Sequence, residues 1–138
     1  MRKTLILSVI ILTVAVISGC GIRSTLTIQK VSESNSHFEG VLYGKLYGGE
    51  LKVFDVDQTG SEQYRVFYQA PTAFNPMRPL RYEAEQRAIE FCSRQGKGMK
   101  ALSELATVPP YILGNDPRIE IIFICTDKQA AGGPLNQP

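Results

Sequence analysis

The sequence predicts an α+β fold: a small antiparallel sheet with one main helix packed on one face, and a disulfide that links this helix to the last strand. Three observations predict it. Short runs rich in β-branched and aromatic residues are separated by turn-forming clusters. One segment, 80–95, has the apolar period of a helix. Cys92 and Cys125 fall on the apolar faces of the predicted helix and of the predicted last strand.

Three short strands are predicted in the first half of the domain, at residues 41–47, 51–56 and 64–68. Each is enriched in the aromatic and β-branched residues that fit a pleated surface. Because short connections join antiparallel neighbours, we expect the three strands to form a meander in sequence order.

The helix predicted over residues 80–95 has one apolar face. Its members follow the helical spacing and are Ala84, Ala88, Phe91, Cys92 and Gln95. Gly96 follows, at the position where a left-handed residue ends a helix. The prolines upstream are expected to interrupt regular structure, namely Pro71, Pro76 and Pro79.

Two more strands are predicted, at 99–105 and at 118–125, and the second has the stronger pattern. A period of two places four residues on one of its faces, Ile119, Ile121, Phe123 and Cys125. If the helix packs on this face, the sulfurs of Cys92 and Cys125 meet. The alternative is a pair of unbridged buried thiols, which pack as small hydrophobes.

The N-terminus has the three-part layout of a secretory signal. Arg2 and Lys3 precede an apolar run over 5–17, which leads into Ser18-Gly19-Cys20. The run is shorter than the roughly 20 apolar residues of a membrane-spanning helix. The segment resembles the lipobox of bacterial lipoproteins, and the resemblance implies a signal peptide at 1–19 with a diacylglycerol attached to the sulfur of Cys20.

The composition of the remaining chain, with this signal, predicts the domain organisation. Residues 20–38 are expected to be a lipidated tether, 39–128 a periplasmic α+β domain, and 129–138 a disordered tail. Gly21 follows the cysteine, whereas lipoproteins retained at the inner membrane typically carry Asp there. In a Gram-negative host this implies an anchor in the outer membrane that faces the periplasm.

The C-terminal half, 80–127, loosely resembles a module found in small uncharacterised proteobacterial lipoproteins. The module has an alanine-spaced helix that ends in a cysteine, then Gly-Lys, a strand, a variable loop and a closing strand that ends in Phe-x-Cys. The matching residues are Ala84, Ala88, Phe91, Cys92, Gly96, Lys97, Phe123 and Cys125. The resemblance implies a fold and an extracytoplasmic setting, and it implies no activity.

Composition argues against several classes of function. The chain has 15 basic and 13 acidic residues, and the excess leaves with Arg2 and Lys3, so nothing favours nucleic-acid binding. No catalytic motif is present, and we expect no enzyme activity, cofactor or metal. The single histidine, His37, lies in the Ser-rich tether and is expected to be solvated.

Two functions remain. The first is a membrane-anchored, non-catalytic interaction or assembly module that binds an envelope protein through a sheet edge or the loop at 106–117. In this loop Tyr111, Ile112 and Leu113 follow two prolines and either form a contact site or fold back onto the core. The alternative is a module that binds a small ligand or the cell wall through tyrosines of the predicted sheet, namely Tyr43, Tyr47, Tyr64 and Tyr68.

Overall fold

The computed structural model describes residues 25–38, 49–112 and 114–127. In these ranges five strands and one α-helix follow one another. They are β1 (Thr25–Lys30), β2 (Gly49–Val53), β3 (Gln63–Gln69), α1 (Met77–Ser93), β4 (Gly98–Thr107) and β5 (Arg118–Thr126), with a 3₁₀ turn at Val31–Glu33 after β1. The predicted fold class, an antiparallel sheet with one main helix, is confirmed.

The strands form one antiparallel sheet in the order β1-β3-β5-β4-β2. The predicted meander is therefore wrong for β2 and β3, which follow each other in sequence but lie at different places in the sheet. β5 takes the centre because its side chains are buried on both faces, and only a central strand is covered in this way. β2, whose five residues are all exposed, is left at one edge.

The predicted tether is also wrong for part of its length. Residues 25–30 form β1, the other edge strand, which pairs with β3 over six residues from Thr25↔Gln69 to Lys30↔Tyr64. Leu26 and Ile28 pack against the core on the helix side of the sheet. The short apolar alternation Leu26-Thr27-Ile28 was the sequence signal for this strand.

α1 begins three residues before its predicted start. Pro79 lies in its first turn, where a missing N–H costs no hydrogen bond, and it therefore does not interrupt the helix. Leu80, Ala84, Ala88 and Cys92 form the buried face, and the alanines allow the helix to lie close to the sheet. Gly96, with φ of 71°, ends the segment as predicted, whereas Gln95 is exposed rather than part of the apolar face.

The disulfide between Cys92 and Cys125 is confirmed, with the two Cα atoms 5.3 Å apart. It joins the end of α1 to the end of β5. The predicted face of β5 is buried under the helix together with Val66 of β3. The bridge and this core therefore fix the helix on one side of the sheet. No helix in the described ranges has the length and apolar character needed to cross a membrane.

Candidate functional site: an exposed sheet edge

The loop predicted to bind a partner is held in place by Asn115. Its buried side-chain amide donates to the carbonyl oxygens of Val108 (2.9 Å) and Pro110 (2.8 Å). Tyr111 is half-buried, and its hydroxyl lies 3.4 Å from the Thr107 carbonyl oxygen. Ile112 is exposed, with half of its surface accessible. Of the predicted trio, the loop therefore presents Ile112.

Several predicted functional residues lie outside the described residues. They are Cys20, Tyr43, Tyr47 and Leu113.

Two other tyrosines, Tyr64 and Tyr68, point to the helix side of β3 rather than to an open face. The Tyr64 ring packs edge-on against Phe91 of α1, with 4.7 Å between ring centroids. Its hydroxyl donates to Glu62, and this hydrogen bond raises the pKa of the phenol above its usual value. Tyr68 is almost fully buried. These tyrosines belong to the packing between sheet and helix.

Both tyrosines nevertheless border recesses between β1 and α1. One recess, of about 340 Å³, is lined by Tyr64 with Ile28, Phe91 and charged residues at the end of β1. The other, of about 310 Å³, is lined by Leu26, Tyr68, Glu83 and Arg87. They form because α1 covers β3, β4 and β5 and leaves the helix side of β1 partly open.

His37 is packed on the sheet, so the prediction of a solvated histidine is wrong. Its ring stacks on Phe67, with centroids 4.1 Å apart. Its backbone N–H donates to the buried Glu120 carboxylate at 2.9 Å, and Arg65 lies 3.1 Å from the same carboxylate. Arg65 also donates to the Ser34 carbonyl and hydroxyl. These contacts hold residues 34–37 against the sheet face opposite the helix.

Four of the exposed large apolar side chains in the described ranges lie close together in sequence, on β2 and just after it. Leu51, Val53 and Val56 are 62%, 65% and 66% exposed, and Phe54 is 44% exposed. We call these four residues the edge patch. Glu50 of β2 pairs with Ala106 of β4, which belongs to the core under the helix, so Glu50 lies on the helix side of the sheet. Because side chains alternate along a strand, Leu51 and Val53 lie on the opposite face.

The backbone of β2 is paired on one side. Its partner is β4, in a register that runs from Gly49↔Thr107 to Val53↔Ser103. Among the described strands none lies on its other side. An edge strand presents a row of N–H and C=O groups to any chain that approaches in extended form. The edge patch thus combines apolar side chains with a backbone edge that pairs with no other strand in the described residues.

A polar recess of about 540 Å³ adjoins the edge patch at Val56. Asp55 accepts a 2.6 Å contact from Lys100, and this partner lowers the pKa of the Asp55 carboxyl. Asp57 accepts hydrogen bonds from the Thr59 hydroxyl and backbone N–H, which lower its pKa too. Both carboxylates are therefore ionised and engaged in holding the loop after β2.

The described residues contain no group of three or more His, Cys, Asp or Glu side chains that could hold a metal ion. What the edge can do chemically is to offer backbone hydrogen bonds and apolar contact to another polypeptide. In comparisons with known proteins, no family model, curated protein or solved structure matches this chain.

Proposed function

We propose that the protein is an exported, lipid-anchored and non-catalytic interaction module that binds an extended segment of an envelope protein along β2. The observation that carries this proposal is the edge patch. Four large apolar side chains are exposed next to a strand edge that pairs with no other described strand. Exposed apolar patches of this kind mark contact sites, and an exposed edge binds a partner strand through main-chain hydrogen bonds.

The chemistry of the edge indicates the chemistry of the partner. A strand added to β2 would place alternate side chains beside Leu51 and Val53 on one face and beside Glu50 and Lys52 on the other. The partner segment is therefore extended and alternates apolar with charged residues. β2 itself presents one charge of each sign, so the partner carries both signs as well.

The exported and anchored parts of the proposal rest on two supports. The lipobox-like run that ends at Cys20 is the first. The second is the Cys92–Cys125 bridge, since disulfides persist in oxidising compartments such as the periplasm. Gly21 favours the outer membrane as the site of the anchor, with the domain facing the periplasm.

Site-specific photo-crosslinking in intact cells tests the interaction. A benzophenone amino acid at position 53 lies on the proposed edge, whereas the same amino acid at position 74 replaces Phe74, a fully exposed aromatic residue between β3 and α1. We expect a discrete protein adduct from position 53 and none from position 74. Equal labelling from both positions, or none from position 53, would contradict the proposal.

A second function has a specific observation in its favour, namely the two recesses between β1 and α1 bordered by Tyr64 and Tyr68. Aromatic walls with charged groups at the rim are typical of sites for small polar ligands. The test is titration with soluble cell-wall fragments while the ring resonances of the tyrosines are followed by NMR. Saturable shifts confined to Tyr64 and Tyr68 would support this function, and unchanged spectra would exclude it for these ligands.

A further inference from the structure

We propose that the partner strand at β2 is β2 of a second copy of this chain, paired antiparallel about a two-fold axis through Leu51. This inference rests on the proposed function and names the partner at the same site. It would join two five-stranded sheets at their β2 edges into one continuous sheet, with both α1 helices on the same face. Closed two-fold dimers are the commonest assembly of soluble protein chains.

The sequence of β2 is self-complementary about Leu51. In Gly49-Glu50-Leu51-Lys52-Val53 the two charges flank the central leucine with opposite signs. Antiparallel pairing centred on Leu51 places Glu50 of each copy opposite Lys52 of the other. Opposite charges directly across a strand pair stabilise it. This register forms two Glu50–Lys52 pairs between the copies, one on each side of the two-fold axis.

Other registers lack this complementarity. With both helices on one face, the two-fold axis passes through a residue whose side chain faces its own copy. An axis through Glu50 brings the two Glu50 carboxylates together, and an axis through Lys52 brings the two ammonium groups together. Like charges directly opposite each other destabilise a strand pair. Among the registers that pair at least three β2 residues of each copy, the Leu51 register is the one that avoids both repulsions.

The two faces of the joined sheet fit the same register. On the face opposite the helices, Leu105 of β4 lies beside Leu51, so the dimer would form a row of four leucines across the junction. Val53 would lie opposite Gly49, where Leu105 of the other copy fills the space beside the glycine, so Val53 would pack against that leucine. On the helix face, the side chains of Glu50 and Lys52 are 58% and 43% exposed, and within one chain Lys52 Nζ lies 3.7 Å from Glu50 Oε1. Both side chains are therefore accessible to form ion pairs with the second copy instead.

A lipid anchor favours such a contact even though a single strand pair is small. Two chains held on one membrane surface meet at an effective concentration far above that of free chains.

A cysteine at position 51 tests the register in the full-length, membrane-anchored protein. Directly opposed residues have Cα atoms about 4.5–5.5 Å apart, within the range of a disulfide. We expect Leu51→Cys to form a reducible dimer of twice the chain mass in the oxidising compartment. Val53→Cys is the matched control, since it is as exposed as Leu51 and on the same face, yet its own copies would lie roughly 13 Å apart. The Val53→Cys chain should therefore form no disulfide-linked dimer.

Charge reversal supplies a second readout. Glu50→Lys and Lys52→Glu each place like charges opposite each other twice, and either change should lower the dimer fraction of Leu51→Cys about tenfold. The double reversal restores opposite charges and should restore the dimer. Mapping of the native Cys92–Cys125 bridge in each variant confirms that the chain has folded.

The outcomes separate this inference from the proposed function. A monomeric Leu51→Cys chain, or equal dimers from positions 51 and 53, overturns the two-fold register. If position 53 then crosslinks to a different protein, the edge binds another partner and the proposed function stands. If neither dimer nor adduct forms, both proposals fail.

Discussion

Arg81 of α1 holds the buried carboxylate of Glu104 on β4 through two hydrogen bonds, with Nε 2.8 Å from Oε2. Glu104 is almost completely buried on the helix side of the sheet, whereas Arg81 is partly exposed at the edge of the helix. The hydrogen bonds to Glu104 raise the pKa of the Arg81 guanidinium. This pair adds a polar link between helix and sheet at the end of α1 opposite the disulfide.

Removal of Arg81 should destabilise the fold more than its exposure suggests. Arg81→Ala leaves the buried Glu104 charge without a partner, and we expect the free energy of unfolding to fall by about 3 kcal/mol. Arg87→Ala, which removes an exposed pair with Glu90, should cost less than about 0.5 kcal/mol. Urea denaturation measures both, and equal losses in the two variants would contradict the importance of the buried pair.

The disulfide should supply a large share of the stability. It closes a loop with a sequence separation of 33 residues, for which the chain-entropy treatment gives roughly 3.5–4 kcal/mol. The double change Cys92→Ala and Cys125→Ala should lower the free energy of unfolding by about that amount. Peptide mapping without reductant should link the two cysteines in the native chain. Free thiols at both positions would be inconsistent with the helix-on-sheet arrangement.

The lipid anchor remains a prediction from the sequence. Cys20→Ser should abolish palmitate labelling and leave an uncleaved or soluble product, because the sulfur that would carry the lipid is lost. Fractionation on a sucrose gradient should place the native chain with outer-membrane markers. Labelling of the variant at the native level would refute the lipobox interpretation, and a native chain among inner-membrane markers would refute the sorting inferred from Gly21.

Stability should depend on pH through Asp55. Lys100 lowers the pKa of this carboxyl in the folded chain, so its contribution is present above the ordinary carboxyl value and is lost as pH falls through the lowered folded value. Asp55→Asn should therefore lower the melting temperature at pH 7 and leave it unchanged in strong acid. Lys100→Met should give the same pattern. A difference that persists undiminished in strong acid would exclude the ion pair as its cause.

The elements that could be predicted from the sequence are those whose apolar residues recur with a clear period because one face packs into the core. α1 and β5 each carry a clear apolar period, and the meeting of their faces at Cys92 and Cys125 followed from spacing alone. The neighbour of β2 could not be predicted in this way. Strand order depends on which strands are buried on both faces, and the most completely buried strand is β5, far along the chain.

The candidate site was only partly predictable for a related reason. The segment 51–56 has the composition of a strand, but composition does not tell whether an apolar face is covered. Leu51 and Val53 are exposed because they lie on an edge strand, on the sheet face that points away from α1. Likewise, β1 was not predicted because its surroundings are rich in Ser and Thr. The packing of His37 was not predicted because its partners, Phe67 and Glu120, lie far from it in sequence.

The most direct test of the central claim, that another chain pairs along β2, is amide hydrogen exchange at this edge. The exchange of β2 amides would be compared between native membrane vesicles and the same chain diluted in detergent, with β1 as the internal control. We predict at least about tenfold slower exchange in the vesicles for amides on the outer side of β2, and no change for β1. Equal exchange of the β2 amides in both preparations would contradict the claim.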